Sequence, residues 1–587
     1  MRKSILRLLL LSVSCLAISS DVAAAEPEWI RESNRNAQVL LEVIARFVPE
    51  QAGRLGVDGL DDRIQDLGPN VYARSQAALQ RAVAELKERL AQATDRRVRQ
   101  DLEILIESGE KNLRSSALQH QYMLPYYDMA QTEFFGIRSL IDPQVPKERQ
   151  AAALERLRRY AGMASGTQPL TTLAEERTAE RLVDAQLVGP YVEEVKQNLA
   201  KTKAYVDGIK ELFASSGLQG WEEPYAQIVR QLNDYDEWIK RNVLPRARAD
   251  NRLPEPIYAD DLRQAGVDIP LPRLMAMAQF SFGEIQHQME ALAPLVAQQK
   301  GYASNDYRDV IRELKKQQIE GDAILPFYRK RLAAIEDIIR RQHIVTLPER
   351  AARIRLASPA ETAAVPAPHM RPPRLIGNTG EYGEFVLPLN LPAAEGKSAL
   401  KFDDFTFDAA AWAMTAHEAR PGHELQFASM IERGVSIARA VFAFNSVNAE
   451  GWGLYSEAEV QPYEPLDGQL ITLQLRLLRA ARAFIDPMLN LGMLKPGEAR
   501  GFLEREVVLS PALADEEVQR FTFLAPGQAT SYYYGYMRLM QLRAEAQVKL
   551  GASFDRQKFN DFILSQGLLP PDLMQKAVEE AFIPRRQ

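Results

Sequence analysis

Two histidines, His417 and His423, stand six positions apart, with Glu418 beside the first and Pro421-Gly422 in the gap between them. On a regular helix six residues turn through about 600°, which would carry His423 well off the face of His417. Proline lacks the N–H that a continuous helix needs, and glycine accepts a re-started turn. If the two imidazoles act together, the helix has to be broken at this point. The spacing therefore predicts a departure from regular helix between Ala419 and Gly422, with both rings turned towards one point.

The residue types are those of a metal and proton-transfer site. Two imidazoles can hold a zinc ion while the carboxylate next to the first takes a proton from a metal-bound water, the chemistry of HExxH peptidases. There the histidines sit at i and i+4 on one helix face; here the Pro-Gly break must do what that spacing does. Histidine is rare in this chain, six in 587 residues, so two of them flanking a glutamate within seven positions are not readily put down to chance. Downstream, Asn448-Ala449-Glu450-Gly451-Trp452-Gly453-Leu454-Tyr455-Ser456-Glu457 sets Glu450 and Glu457 on one helical face. Glu450 is the expected third ligand, and Glu457 is suited to orienting a liganding histidine from behind. In such a site the ligand atoms lie roughly 3 to 4 Å apart, with Glu418 facing the same point from beyond ligand distance.

The chain opens with Met1-Arg2-Lys3, an apolar run around Leu8 to Ile18, and Ala23-Ala24-Ala25. That reads as a signal peptide over residues 1–25, cleaved near Ala25-Glu26, and implies a periplasmic or secreted protein. Ser12 stands where a lipidation signal carries leucine, so a soluble mature chain is expected rather than one anchored through Cys15. Cys15 is the only cysteine; beyond it neither thiolate ligation nor a disulfide is open to the chain. A net charge of −6 without a long basic run argues against nucleic acid as a partner. No later stretch is apolar for long enough to make an integral membrane span.

Most of the chain reads as amphipathic helix after helix: residues 28–47, 71–90, 97–122, 146–163, 188–216, 222–243, 272–295 and 306–341. Ser304 or Asn305 is suited to cap the last of these, and Pro125 to Pro146 reads as a loop. The texture changes at Ile344, and Ser358 to Pro373 is rich in Pro and Ala, so a boundary is placed there: an N-terminal helical lobe over 26–343 and a C-terminal lobe with the metal site over 344–587. Residues 381–388 alternate like a strand whose edge could pair with an extended peptide, and Tyr382 within it is a candidate substrate-binding residue. Further helices are expected over 471–494, 496–509 and 526–550. Arg476, Arg479 and Arg482 share a stripe on the first, and Arg482 is the candidate to hold a substrate carboxylate. Tyr532 opens the last helix among three tyrosines, which by themselves read as packing.

Three ordered motifs, His-Glu-x-x-Pro-Gly-His-x-x-Gln, Glu-Gly-Trp-x-Leu-Tyr-x-Glu and Pro-Gly-Gln-x-x-Ser-Tyr-x-x-Gly, resemble the bacterial family known as domain of unknown function 885. The resemblance runs from about Pro49 to the end of the chain. It implies a largely helical, zincin-like fold with a deep cleft; with the lobes and strand read above, the expected fold is mainly α and two-lobed, with a small β-sheet near the active site. It also implies His417, His423 and Glu450 as ligands of one zinc ion, Glu418 as general base and Tyr532 as a cleft tyrosine. The sequence departs from the family pattern at Asn490, where a cleft histidine is usual, and at Glu424, where a further histidine often follows.

The expected function is a secreted zinc-dependent hydrolase of peptide or small amide substrates, with Glu418 relaying the proton and Tyr532 steadying the oxyanion. The alternative is a catalytically silent protein that keeps the cleft to bind a peptide or partner, a reading prompted by Asn490 and Glu424. Endo- or exopeptidase action and oligomeric state are left open by the sequence.

Overall fold

The computed structural model of the protein describes residues 26–388 and 402–583. The expected signal peptide and Cys15 lie outside these residues. Helices dominate, and several coincide with the apolar periodicity almost residue for residue: Glu28–Phe47, Val71–Gln92, Arg96–Tyr122 and Glu222–Asn242. The first three pack together around Leu40, Leu86, Val98 and Leu105. Among the described residues no helix is long and apolar enough to cross a membrane.

Where the structure departs from the expected elements, local chemistry accounts for it. The region 125–146 is not one loop. Asp128 accepts from the Gln131 N–H and starts a helix over Met129–Arg138, whose Phe134 and Ile137 are buried. The expected helix over 306–341 is two, Tyr307–Lys315 and Ile324–Gln342, because the backbone between them leaves to pair with the segment at Thr406-Phe407. Its cap is neither Ser304 nor Asn305 but Asp306, which accepts from the Arg308 N–H at 2.7 Å.

The elements around the site are α1 (Leu271–Lys300), α2 (Ile324–Gln342), β1 (Arg353–Leu356), β2 (His369–Arg371), β3 (Glu384–Leu387), α3 (Asp408–Glu418), α4 (His423–Arg433), α5 (Ser446–Val460), α6 (Leu466–Asn490), α7 (Pro511–Gln519) and α8 (Thr530–Leu550). Helix α6 is buried almost all round, including Arg479 and Arg482, as befits a central helix packed on α1, α3 and α8. One apolar core joins Leu274, Met289 and Tyr328 to Phe385, Leu477 and Tyr533. Residues on both sides of Ile344 share it, so the change of texture there does not separate two cores.

The sheet corrects one expectation. Its order is β1-β3-β2, with β3 parallel to β1 and antiparallel to β2. The strand expected over 381–388 is therefore the central one, with all four residues buried, and cannot offer a free edge to a peptide. Strand β2, in the Pro- and Ala-rich stretch, is an edge strand instead.

Candidate metal centre

Helix α3 ends at Glu418 and α4 begins at His423. Between them Ala419 (φ −102°, ψ −102°) and Gly422 (φ −77°, ψ −133°) lie outside helical geometry, and the Arg420–Pro421 peptide is cis. Glycine at 422 is required by space: a Cβ there would stand 1.8 Å from the His417 carbonyl oxygen. The break is held from beneath by α5, whose Trp452 indole N–H donates to the Pro421 carbonyl at 2.9 Å and whose Ser456 hydroxyl donates to it at 3.2 Å. Arg420 is locked into the fold, donating to Glu424 and Glu336, each at 2.7 Å, and to the Arg350 carbonyl at 2.6 Å.

The consequence is the expected convergence. The rings of His417 and His423 meet edge to face, with centroids 4.7 Å apart. Their Nε2 atoms lie 3.4 and 3.3 Å from one Glu450 oxygen. His417, His423 and Glu450 each offer a ligand atom within 4.8 Å of the others. A Glu418 oxygen lies 3.9 Å from His417 Nε2. Gly453 admits the His417 ring against α5, since a Cβ there would meet the ring at 2.5 Å.

Glu457, one face-turn along α5, accepts from His417 Nδ1 at 2.7 Å and from Arg479 at 3.5 Å. With Nδ1 turned to Glu457, Nε2 is the nitrogen that faces Glu450, and its lone pair becomes available to a cation once the proton there is displaced. Burial opposes a charged imidazole, yet hydrogen bonds to Glu450 and Glu457 outweigh it and push His417 up to about 9. Burial also works against an ionised Glu450, but His417 and His423 hold its carboxyl well below the ordinary range. Two nitrogens and a carboxylate oxygen, already charge-balanced and gathered within coordinating reach, are a donor set that fits zinc. A cation would take the place that the shared proton holds.

The site opens into a cavity of about 320 Å³ lined by His417, Glu418, His423, Glu450, Tyr532, Arg479, Arg482 and Arg520, with His369 and Met370 of β2 on its wall. Tyr532 stacks on His417 at 6.2 Å between centroids. The close α5–α8 crossing that places it depends on Gly451 and Gly535, where a Cβ on Gly535 would stand 1.9 Å from the Val447 carbonyl oxygen. Phe444 lines both this cavity and a larger one of about 890 Å³ that brings Tyr72, Tyr126 and Tyr127 opposite Phe523 and Leu524.

Of the two expected substrate-binding residues, Arg482 lines the cavity but is engaged by Glu517 through two hydrogen bonds, at 2.7 and 2.5 Å. Tyr382 does not reach it. Its ring lies under the Arg350 and Arg353 guanidinium groups and lines a separate cavity. Asn490 and Glu424 also lie outside the cavity lining. Asn490 donates to the Asp486 and Phe521 carbonyls, both at 3.0 Å, and Glu424 is spent on Arg420. Sequence reasoning missed Glu516 and Glu517, within the unanticipated helix α7, and Arg520 just past its end; their i, i+3 and i+4 spacing looks like an exposed ion-pair stripe.

Residues 49–578 match the family described as bacterial protein of unknown function, DUF885. The chain belongs to this family. The DUF885 fold recurs in two solved structures. One, described as a candidate lipoprotein of unknown function from Shewanella oneidensis, superposes with a TM-score of 0.69 at 17% identity, covering 94% of this chain and 100% of that one. The other, described as a candidate lipoprotein from Colwellia psychrerythraea, gives a TM-score of 0.75 at 16% identity over 93% of this chain and 98% of that one. At these identities the likeness is one of fold. No curated protein matches the sequence.

Proposed function

We propose that this DUF885 protein is a zinc-dependent hydrolase of peptide or small amide bonds, with a zincin-like site set in a cavity whose lining, from Val365 to Tyr532, lies wholly within the C-terminal part expected over 344–587. The observation that carries the reading is the convergence of His417, His423 and Glu450 on one point, with Glu418 3.9 Å from His417 Nε2 and a cavity opening over them. Zinc, when bound, supplies Lewis acidity that polarises a carbonyl and acidifies water.

The chain's residues do the rest. Glu418 takes the proton of the attacking water and delivers it to the departing amine nitrogen as the amide C–N bond breaks. Glu457 and Arg479 keep the His417 ring in one tautomer and orientation. The Tyr532 hydroxyl, beside the site, is placed to donate to a carbonyl oxygen that gains negative charge. Edge strand β2 supplies backbone groups on the cavity wall for an extended substrate. The two solved relatives are described as candidate lipoproteins, and with the basic, then apolar N-terminal stretch this supports a place outside the cytoplasm.

The silent-binder reading drew on Asn490 and Glu424. Since neither lines the cavity, no observation favours it. Metal analysis of purified protein tests the proposal at its root. The expected result is about one zinc per chain, with peptide hydrolysis that a chelator abolishes and zinc restores. A protein that takes up no metal, or hydrolyses peptides equally well after chelation, overturns it.

A further inference from the structure

Three arginines line the cavity beside the metal centre, and they are not equivalent. Arg482, 7% exposed, is held by the paired hydrogen bonds to Glu517. Arg479, 6% exposed, is held by the Leu475 carbonyl at 3.1 Å and by Glu457 at 3.5 Å. Arg520 is 25% exposed; its nearest carboxylate, on Glu517, is 3.8 Å away and already shared with Arg482, and its other contact is the Tyr532 hydroxyl at 3.3 Å. Glu516 could offset it, but burial and the neighbouring Glu517 push that carboxyl up to about 7, which leaves it partly neutral. Of the three, Arg520 is therefore the guanidinium whose planar fork no carboxylate fills.

The position of that fork matters as much as its charge. Tyr532 touches both it and the metal ligands: the ring stacks on His417 at 6.2 Å, and the Arg520 guanidinium carbon stands 5.5 Å from the same ring. These contacts bound the span from the His417 ring to the Arg520 guanidinium at about 12 Å; the paired carboxylate takes up about 4 Å of it, and an extended peptide advances about 3.3 to 3.6 Å per residue, so a group bound at Arg520 sits within one or two residues of a carbonyl at the metal centre. Arginine pairs best with carboxylate or phosphate, two parallel N–H donors to two oxygens. On a peptide backbone the group with that shape occurs once, at the C-terminus.

We propose that Arg520 anchors the free α-carboxylate of a peptide substrate, so that cleavage falls one or two residues from the C-terminal end. This rests on the hydrolase reading above and narrows it to a carboxyl-terminal exopeptidase. The bond broken is the amide C–N; water adds its oxygen to the carbonyl carbon, and the released amino acid or dipeptide leaves with the proton on its nitrogen.

The test separates binding from turnover. Random pentapeptides carrying an N-terminal dansyl group are made in two forms, with a free C-terminal carboxylate and with a C-terminal amide. Binding to the zinc-loaded Glu418→Gln protein is read by fluorescence anisotropy, and products of the unaltered protein by mass spectrometry. The acid form is expected to bind about tenfold or more tightly than the amide. Adding Arg520→Ala should erase the difference and Arg520→Lys should leave a reduced one, since lysine keeps the charge but not the fork. Products should be single residues or dipeptides from the C-terminus.

Equal binding of the two forms, no binding of either, or a preference that survives Arg520→Ala overturns the anchor; the first comparison needs no Arg520 variant. Interior cleavage of both forms at equal rates removes the anchor and leaves the hydrolase. A preference for acid that Arg520→Ala abolishes, without hydrolysis of either form, supports the anchor and removes the hydrolase.

Discussion

Glu457 accepts a hydrogen bond from His417 Nδ1 at 2.7 Å, and Arg479 donates to the same carboxylate oxygen at 3.5 Å. The pair fixes which nitrogen of His417 faces the cavity. Replacing Glu457 with Gln keeps the size but removes the charge and scrambles the tautomer. Zinc affinity is expected to fall about 10- to 100-fold, with the fold retained, as read by competition against a fluorescent chelator.

Removing a ligand is a more severe change. For His423→Ala and Glu450→Ala, the stoichiometric zinc of the purified protein should be lost. In the unaltered chain, zinc at a hundredfold excess over its dissociation constant should stabilise the fold by about 2.7 kcal/mol. Thermal unfolding with and without zinc checks this: the melting temperature should rise for the unaltered protein and stay put for both variants.

Gly453 carries the His417 ring against α5. In Gly453→Ala the new methyl carbon would lie 2.5 Å from that ring, so the imidazole must move. Zinc binding should weaken as strongly as in the ligand variants, although position 453 offers no ligand atom. Wild-type zinc affinity in that variant would contradict the placement of α5.

Glu133 gives a pH dependence separate from the metal centre. It is fully buried, neither carboxylate oxygen has a hydrogen-bond partner among the described residues, and burial pushes its carboxyl up to about 8. The folded state therefore holds a proton that the unfolded chain releases above about pH 4.3. The stabilisation is complete below that value and is lost as the pH rises towards 8. Glu133→Gln should flatten this decline and be the more stable form at pH 8, by on the order of 2 kcal/mol, as measured by denaturant unfolding at pH 5 and pH 8.

Much of this was legible in the chain. Long amphipathic stretches such as Glu28–Phe47 and Glu222–Asn242 needed only their own periodicity. The break at Pro421-Gly422 followed from asking two histidines six apart to share one ion. What stayed hidden depended on partners remote in sequence. Arg479 and Arg482 have the spacing of a solvated stripe, and only the packing of α6 against three helices turns them inward. The alternation around Phe385 marks a strand but cannot tell a central from an edge position, since order within a sheet is set by β1 and β2 on either side. Arg520 lay in an ordinary-looking charged run, and its meaning comes from Tyr532 and the cavity.

The most direct measurement of the central claim is peptide hydrolysis by the unaltered protein and by Glu418→Gln, both loaded with zinc and matched for metal content. Glu418 is not one of the three proposed ligands, so the variant should hold zinc as the unaltered protein does. The account predicts hydrolysis by the unaltered protein and a rate lower by about 10²- to 10⁴-fold in the variant. Equal rates from the two proteins, or no hydrolysis by the zinc-loaded unaltered protein, would contradict it.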